Sequence, residues 1–387
     1  MAEYSGKLIG LFFFTAVVGI LTTRLSIFLS GLLGIYDKPS TRKVHKAPVA
    51  YLGGLGVLLG FMVGMGVLLV MEPDLAVLHH RTLMPVIVGA VSIFLIGFWD
   101  DVRPVRAILK LGMQMLVAAG MWYSGVKIQT LTFGADPASA LGQLISCGVT
   151  VGWYVALMNS INLVDGLDGL AGGITLIGAI SLVGVSLVVG SSPEVMIGGL
   201  LAILTAGSVL GFLVYNWHPA RTFMGDGGSL LLGFLLATAS LISSAKTPTL
   251  LAMTVPLVAL GLPLFESTFS FLRRALKGGN PFKPDRRHLH HRLLDLGLDQ
   301  RRVVIFLLFM TAFLGMNSVI LADAKSNLLL VNVLLIIGGL VLLIENLKFL
   351  ETRRMAPPAP RPAAPPAPKA SAAAEVEEEL AEKIELS

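Results

Sequence analysis

Charge is scarce in this chain. Only 14% of its 387 residues are Asp, Glu, Lys or Arg, against 55% that are hydrophobic. One soluble core cannot absorb that much apolar surface, so most of the chain must lie in lipid, as the mean hydropathy of +0.80 also indicates. Cysteine is nearly absent: Cys147 stands alone, which excludes an intrachain disulfide, and within an apolar run it reads as packing. A GxxxxGK[ST] phosphate loop, a GxGxxG turn with its partner acid, a repeat of fixed period and a basic patch interleaved with aromatics are all missing. These absences remove P-loop and dinucleotide folds, solenoids and nucleic-acid binding.

What is present is a series of apolar stretches of roughly 16 to 25 residues, about the length a bilayer crossing needs. They fall near residues 8–33, 51–71, 83–99, 107–123, 141–158, 169–190, 195–215, 229–245, 250–272, 303–322 and 328–345. The expected fold class is all-α, a polytopic integral membrane helix bundle of about eleven transmembrane helices. The first stretch is too long and continuous for a signal-peptide core, so it is read as a retained span. If the segment after it is cytoplasmic, 23 of the 29 basic residues share that face. Lys7, Arg81, Lys127, Lys246 and Lys325 fall on the other, and Arg24 lies inside the first span. The positive-inside rule then puts the N-terminus outside and the C-terminus in the cytoplasm. The net charge of +5 is therefore mainly a mark of topology, although basic loops also attract anionic lipids and phosphorylated substrates.

Carboxylates are costly in hydrocarbon, which draws attention to Asp100-Asp101, to Asp165 with Asp168, and to Asp226. Each cluster sits just beyond one end of an expected span, and span parity opens all three on one side. Acids gathered at one interface can hold a hydrated cation over a lipid head group. Taken singly, each also suits a helix cap. Recurrence on one face argues for a shared site.

The run from Asn159 to Gly173 carries the strongest pattern. Asn159, Asn162 and Asp165 fall three apart on one helical face, so two amides and a carboxylate could converge on a sugar, a base or a cation. The glycines that follow break this helix and leave the next span's N–H groups open to an anion. Asp226 lies between glycines at another span's start. Before Gly53-Gly54, the first loop offers Lys43 and His45 among further bases, which suits phosphate as well as ordinary positive-inside charge. Residues 273–302 include Arg287, His288, His290 and His291. Three close histidines suggest zinc, but Cys and Glu partners are missing and arginines crowd the run, so Arg and His beside a diphosphate fits better. Glu266, inside the ninth stretch, reads as structural.

The Asp-Asp loop, the Asn-x-x-Asn-x-x-Asp-Gly-x-Asp-Gly-Leu run, Phe-Met-Gly-Asp and His-x-His-His follow in order over about residues 34–300. Together they resemble the polyprenyl-phosphate N-acetylhexosamine-1-phosphate transferases, glycosyltransferase family 4. The His-Leu-His-His and Arg-Lys-Val-His forms look like its bacterial undecaprenyl-phosphate GlcNAc-1-phosphate branch. The resemblance implies attack by undecaprenyl phosphate on the β-phosphate of a UDP-amino sugar, releasing UMP, as the first membrane step of a cell-surface polysaccharide. It implies Mg²⁺, with Mn²⁺ as a substitute, and a bacterial inner-membrane protein working at the cytoplasmic face. Asp226 would be the principal metal ligand, with Asp101 and Asp165. Asp100 and Asp101 would orient or deprotonate the lipid phosphate. Asn159, Asn162, Asp165 and Asp168 would bind nucleotide and sugar. Arg287, His288, His290 and His291 would grip the diphosphate or sugar, assisted by Lys43 and His45 at phosphate. Implied partners are the UDP-sugar, the polyprenyl phosphate and membrane lipid, without nucleic acid, and a homodimer is allowed.

The expected organisation is a transmembrane catalytic domain over residues 1–347 with cytoplasmic loops near 34–50, 100–106, 159–168, 216–228 and 273–302. A Pro/Ala-rich, disordered cytoplasmic tail with an acidic end follows over 348–387, with seven prolines between 355 and 370. Two alternatives stay open. One is a phospho-MurNAc-pentapeptide translocase. The other is a secondary transporter, against which the interfacial placement of the polar clusters speaks, since transporters bind substrate near the midplane.

Overall fold

The computed structural model describes residues 2–37, 48–74, 80–128, 135–190, 192–243, 257–258, 260–265, 268 and 289–323. All belong to the first of two compact units, residues 1–338. In chain order the helices are α1 (Ala2–Leu33), α2 (Gly53–Met71), α3 (His80–Val102), α4 (Ala107–Tyr123), α5 (Ala140–Val164), α6 (Leu170–Val189), α7 (Pro193–Asn216), α8 (Gly225–Ser243), α9 (Leu289–Asp295) and α10 (Gln300–Asp323). Eight of them are long and apolar enough to cross a membrane. The protein is thus a polytopic membrane helix bundle.

Local chemistry sets several helix ends. Ser139 accepts a hydrogen bond from the Gly142 amide to cap α5, while Ser192 caps α7 ahead of Pro193 in the first turn. Gly169, at φ +78°, is a left-handed junction into α6 that few other residues would tolerate.

The core is built on α7 and α8, whose apolar windows are 89% and 94% buried. Helix α7 packs against α1, α2 and α6, while α8 packs against α3, α5 and α7. Small residues permit this closeness, as packing without a hydrophobic drive between helices requires. A Cβ on Gly233 of α8 would lie 2.5 Å from the Met158 Cα of α5, and one on Gly97 of α3 would lie 2.5 Å from the Asp226 carbonyl carbon. Those two contacts draw α3, α5 and α8 together beside the acids. By contrast α1 exposes Phe13, Leu21, Phe28 and Leu32, as a lipid-facing helix should.

Two features refine the expected all-α picture. Tyr36–Asp37 pairs antiparallel with Val49–Ala50, and Ala50 bridges in parallel to Thr222. Backbone pairing this short leaves no alternation for a sequence to display. The ribbon continues as Phe223 N–H donates to Ala50 O at 2.9 Å and Gly53 N–H to Phe223 O at 2.9 Å. Gly54 is needed for the approach itself, since its Cβ would lie 2.5 Å from the Gly228 Cα.

The second feature concerns spans. Residues 107–123 form a helix of 17 residues, shorter than the other eight. At about 1.5 Å per residue it is near the lower limit for a crossing. Most of 250–272 and all of 328–345 lie outside the described residues, as do Lys43, His45, Glu266, Arg287, His288 and the tail over 348–387. His290 and His291 lie on α9, with only their backbone described.

Candidate active site

The end of α3, the start of α4, the end of α5 and the start of α8 meet at one end of the bundle. Lys110, from the first turn of α4, donates to Asp100 Oδ2 at 2.8 Å and also to Asp226 Oδ2. Its side chain is only 14% exposed. A desolvated ammonium between two carboxylates is favourable only because both neighbours are acidic. Asp100 is fixed on its other oxygen by the Val105 N–H at 2.7 Å. Asp226 accepts on Oδ1 from Asn162 Nδ2 at 2.8 Å, and the same amide reaches Ser229 Oγ at 2.9 Å.

Asp101 does something different. Its carboxylate accepts from the backbone N–H of Asp226 at 2.8 Å and of Gly227 at 3.0 Å, so it caps α8 from another helix. Gly225 makes room: it sits at φ +68°, and a Cβ there would meet Asp101 Oδ2 at 2.5 Å. The Tyr51 hydroxyl adds a side-chain hydrogen bond to the same carboxylate.

Asp165 ends α5 and accepts no hydrogen bond among the described residues. Burial, reinforced by the Asp226, Asp101 and Asp168 charges, pushes its carboxyl up to about 8. Tyr51 reports the same field. Burial, then Asp101, Asp226, Asp165 and Asp37, raise its phenol well above the ordinary value, so it remains a proton donor.

Asp168 and Asn159 are turned to neighbouring work. Asp168 Oδ2 lies 2.7 Å from His218 Nδ1 and accepts from the Ala220 N–H at 3.1 Å. Asn216 completes this junction by accepting from the Gly169 N–H at 3.0 Å and donating to Thr222 O at 2.8 Å. Asn159 Nδ2 donates to Gln114 Oε1 at 2.7 Å and to Val155 O at 2.8 Å, tying α5 to α4. The structure therefore gathers Asp100, Asp101, Asn162, Asp165 and Asp226, and gives Asp168 and Asn159 contacts that hold adjacent loops and helices.

Sequence reasoning missed Lys110, Tyr51 and Ser229 as members of this cluster, and His218 as the partner of Asp168. Lys110 had a signal, a lone lysine just inside an apolar run on the acid-bearing face. Tyr51 had none, because its place depends on the backbone ribbon from Ala50 to Phe223.

Among the described residues no three carboxylate or imidazole groups converge on a single metal position. Magnesium seldom needs three, since it keeps water and takes one or two carboxylates plus substrate phosphate. The donor set fits such an ion: Asp165 is unbonded and sits in the combined field of Asp226 and Asp101.

The model of glycosyl transferase family 4 matches residues 83–244, the stretch that carries every acid of the cluster. A probable undecaprenyl-phosphate N-acetylglucosaminyl 1-phosphate transferase of Bacillus subtilis (strain 168) is 35% identical over 294 residues, covering 76% of this chain and 78% of the relative. A decaprenyl-phosphate N-acetylglucosaminephosphotransferase of Mycolicibacterium smegmatis is 31% identical over 366 residues, covering 86% and 89%. An undecaprenyl-phosphate alpha-N-acetylglucosaminyl 1-phosphate transferase of Thermotoga maritima is 32% identical over 275 residues, covering 69% and 78%. Likeness of this degree, over more than three quarters of each relative, settles what the motifs suggested: the chain belongs to glycosyl transferase family 4, among the polyprenyl-phosphate N-acetylhexosamine-1-phosphate transferases.

Proposed function

We propose that this protein transfers N-acetylglucosamine-1-phosphate from UDP-N-acetylglucosamine to undecaprenyl phosphate, giving a lipid-linked diphosphate sugar and UMP. The observation that carries this reading is Lys110 held between Asp100 and Asp226 beside the unbonded Asp165, at one end of a membrane bundle. Relatives named for N-acetylglucosamine phosphotransfer to undecaprenyl or decaprenyl phosphate support the sugar and the lipid class. We place the site on the cytoplasmic face of the bacterial inner membrane, with the N-terminus outside, about eleven spans and the C-terminus inside, from the distribution of basic residues.

In this reaction an oxygen of the lipid phosphate bonds to the β-phosphorus of the donor. The bond from that phosphorus to the bridging oxygen breaks, and its electron pair leaves on UMP. A phosphate monoester has a second pKa of about 6, so at neutral pH the nucleophile is already largely ionised. Asp100, committed to Lys110 and the Val105 amide, is therefore assigned to placement. Direct attack is favoured over an aspartyl-phosphate intermediate. Lys110 neutralises charge on the phosphates, and Asn162 holds Asp226 in one orientation. Asp101 fixes the start of α8, and thereby Asp226. A divalent cation held by Asp226 and Asp165, with Mg²⁺ the proposed ion, would supply further charge neutralisation when bound. Arg287, His288, His290, His291, Lys43 and His45 are proposed to grip the diphosphate and sugar.

The test uses membranes containing the protein, undecaprenyl phosphate, Mg²⁺ and a panel of radiolabelled UDP-sugars, following label into lipid and release of UMP. Labelling from UDP-N-acetylglucosamine that disappears with Asp226→Asn or a chelator is expected. Failure of every UDP-sugar to label lipid, or indifference to both interventions, would overturn the proposal.

A further inference from the structure

We propose that the groove between α3 and α4, at the end of the bundle opposite the acids, binds one glycerophospholipid with a negatively charged headgroup. The groove is a cavity of about 860 Å³, inside the range of about 300–1,000 Å³ typical of small-molecule sites. His80 and Arg81 line it at the first turn of α3, Met84 and Val88 continue along that helix, and Gly120 and Tyr123 face them from α4. Asp100 lies 20 residues further along α3, roughly 30 Å at 1.5 Å per residue. The groove and the acid cluster are separate places on the same two helices.

Three observations select the occupant. Met84, Val88 and Tyr123 are 58%, 62% and 87% exposed, so the groove opens sideways where acyl chains lie. Its polar end carries Arg81 and His80, on the face where only five of the chain's 29 basic residues are expected. The first turn of a helix adds partial positive charge there. Lys127, 5.2 Å from the Trp122 ring centroid, brings another cation to the same end of α4, where the nearby acid Asp136 accepts from the Ala138 N–H. Finally, Gly120 leaves space: a Cβ built on it meets nothing within 4 Å.

Arginine forks onto phosphate oxygens, the tyrosine ring suits the headgroup level, and the flexible methionine packs along a chain. A neutral isoprenoid would leave the Arg81 guanidinium at the mouth without a counter-charge. A zwitterionic lipid would satisfy the phosphate contact but carry its own cation into a basic mouth.

The experiment needs no transfer assay, so it stands apart from the proposed function. The purified full chain in mild detergent is equilibrated with equal amounts of phosphatidylglycerol and phosphatidylcholine, and retained lipid is counted by native mass spectrometry. One phosphatidylglycerol per chain is expected, preferred about fivefold or more, in line with roughly 1 kcal/mol per basic residue at a membrane surface. Gly120→Phe, which fills the groove, should abolish retention. Arg81→Gln, which alters only the mouth, should keep a bound lipid but bring the preference near parity. Equal retention of both lipids by the unaltered protein overturns the proposal. So does undiminished retention in a Gly120→Phe protein that still melts cooperatively, or an unchanged preference in Arg81→Gln.

Discussion

The carboxylate of Asp101 accepts the backbone N–H of Asp226 at 2.8 Å, although 125 positions separate the two residues. One acid thus positions another by capping the helix that begins with it. Asp101→Ala removes the cap, and loss of such a cap costs about 1–2 kcal/mol. A lowered melting midpoint and a loss of transfer are both expected. Asp101→Asn keeps an acceptor oxygen and should recover much of the stability but less of the rate. Equal melting of wild type and Asp101→Ala would show that the cap does not hold α8.

Lys110 is the second point of leverage. With Lys110→Met, Asp100 and Asp226 face each other without the cation that bridges them. A transfer rate about 100-fold lower is expected, the usual scale for removing one preorganised charge-stabilising group. Adding Asp100→Asn should then do little further harm, because the repulsion it relieves exists only without the lysine. A double-mutant cycle on rate and melting midpoint measures this coupling. Additive effects would separate the two residues.

How much of this was legible in sequence depends on the kind of contact. Asn162, Asp165 and Asp226 were readable because a helical spacing and a glycine-flanked span start leave local marks. The shared side of the acids was expected from span parity, and in the fold Asp100, Asp101 and Asp226 lie together where α3, α4, α5 and α8 meet. Tyr51 and the ribbon from Ala50 to Phe223 were not readable, since backbone pairing uses groups every residue has. Asp168 looked equivalent to Asp165 in the motif. Only the fold reveals that one acid is bonded to His218 and Ala220 while the other is left unbonded.

That difference has a pH signature. Folding raises the Asp165 carboxyl from 3.8 to about 8, so the folded state holds a proton that the unfolded state releases. The sign follows directly: between about pH 4 and 8 the metal-free protein loses stability as pH rises, then levels off. A divalent cation competes with that proton, so saturating Mg²⁺ should flatten the slope, and Mg²⁺ affinity should increase with pH up to about 8. Melting midpoints from pH 5 to 9, with chelator or with Mg²⁺, check both expectations. Asp101, which burial raises to about 6, adds to the slope below that pH. Asp165→Asn should therefore remove the slope between about pH 6 and 8 in chelator, and a slope that survives there would place the titrating group elsewhere.

Gly225 tests whether the cluster's geometry, and not merely its charges, matters. Its φ of +68° disfavours any side chain, and a Cβ would come within 2.5 Å of Asp101 Oδ2. Gly225→Ala should therefore push the Asp101 carboxylate off the Asp226 amide, adding a left-handed backbone cost of about 1–2 kcal/mol. A rate loss of about tenfold or more is expected, since a displacement near 1 Å suffices for that scale. The control is Gly112→Ala, one turn along α4 from Ile108, where a Cβ meets nothing within 4 Å. There the gain in helix propensity, up to about 1 kcal/mol, should raise the melting midpoint and leave transfer intact. If Gly225→Ala behaved like that control, the Asp101 clamp could not be what sets the position of Asp226, because a side chain at Gly225 meets both a left-handed backbone and the Asp101 carboxylate, and one at Gly112 meets neither.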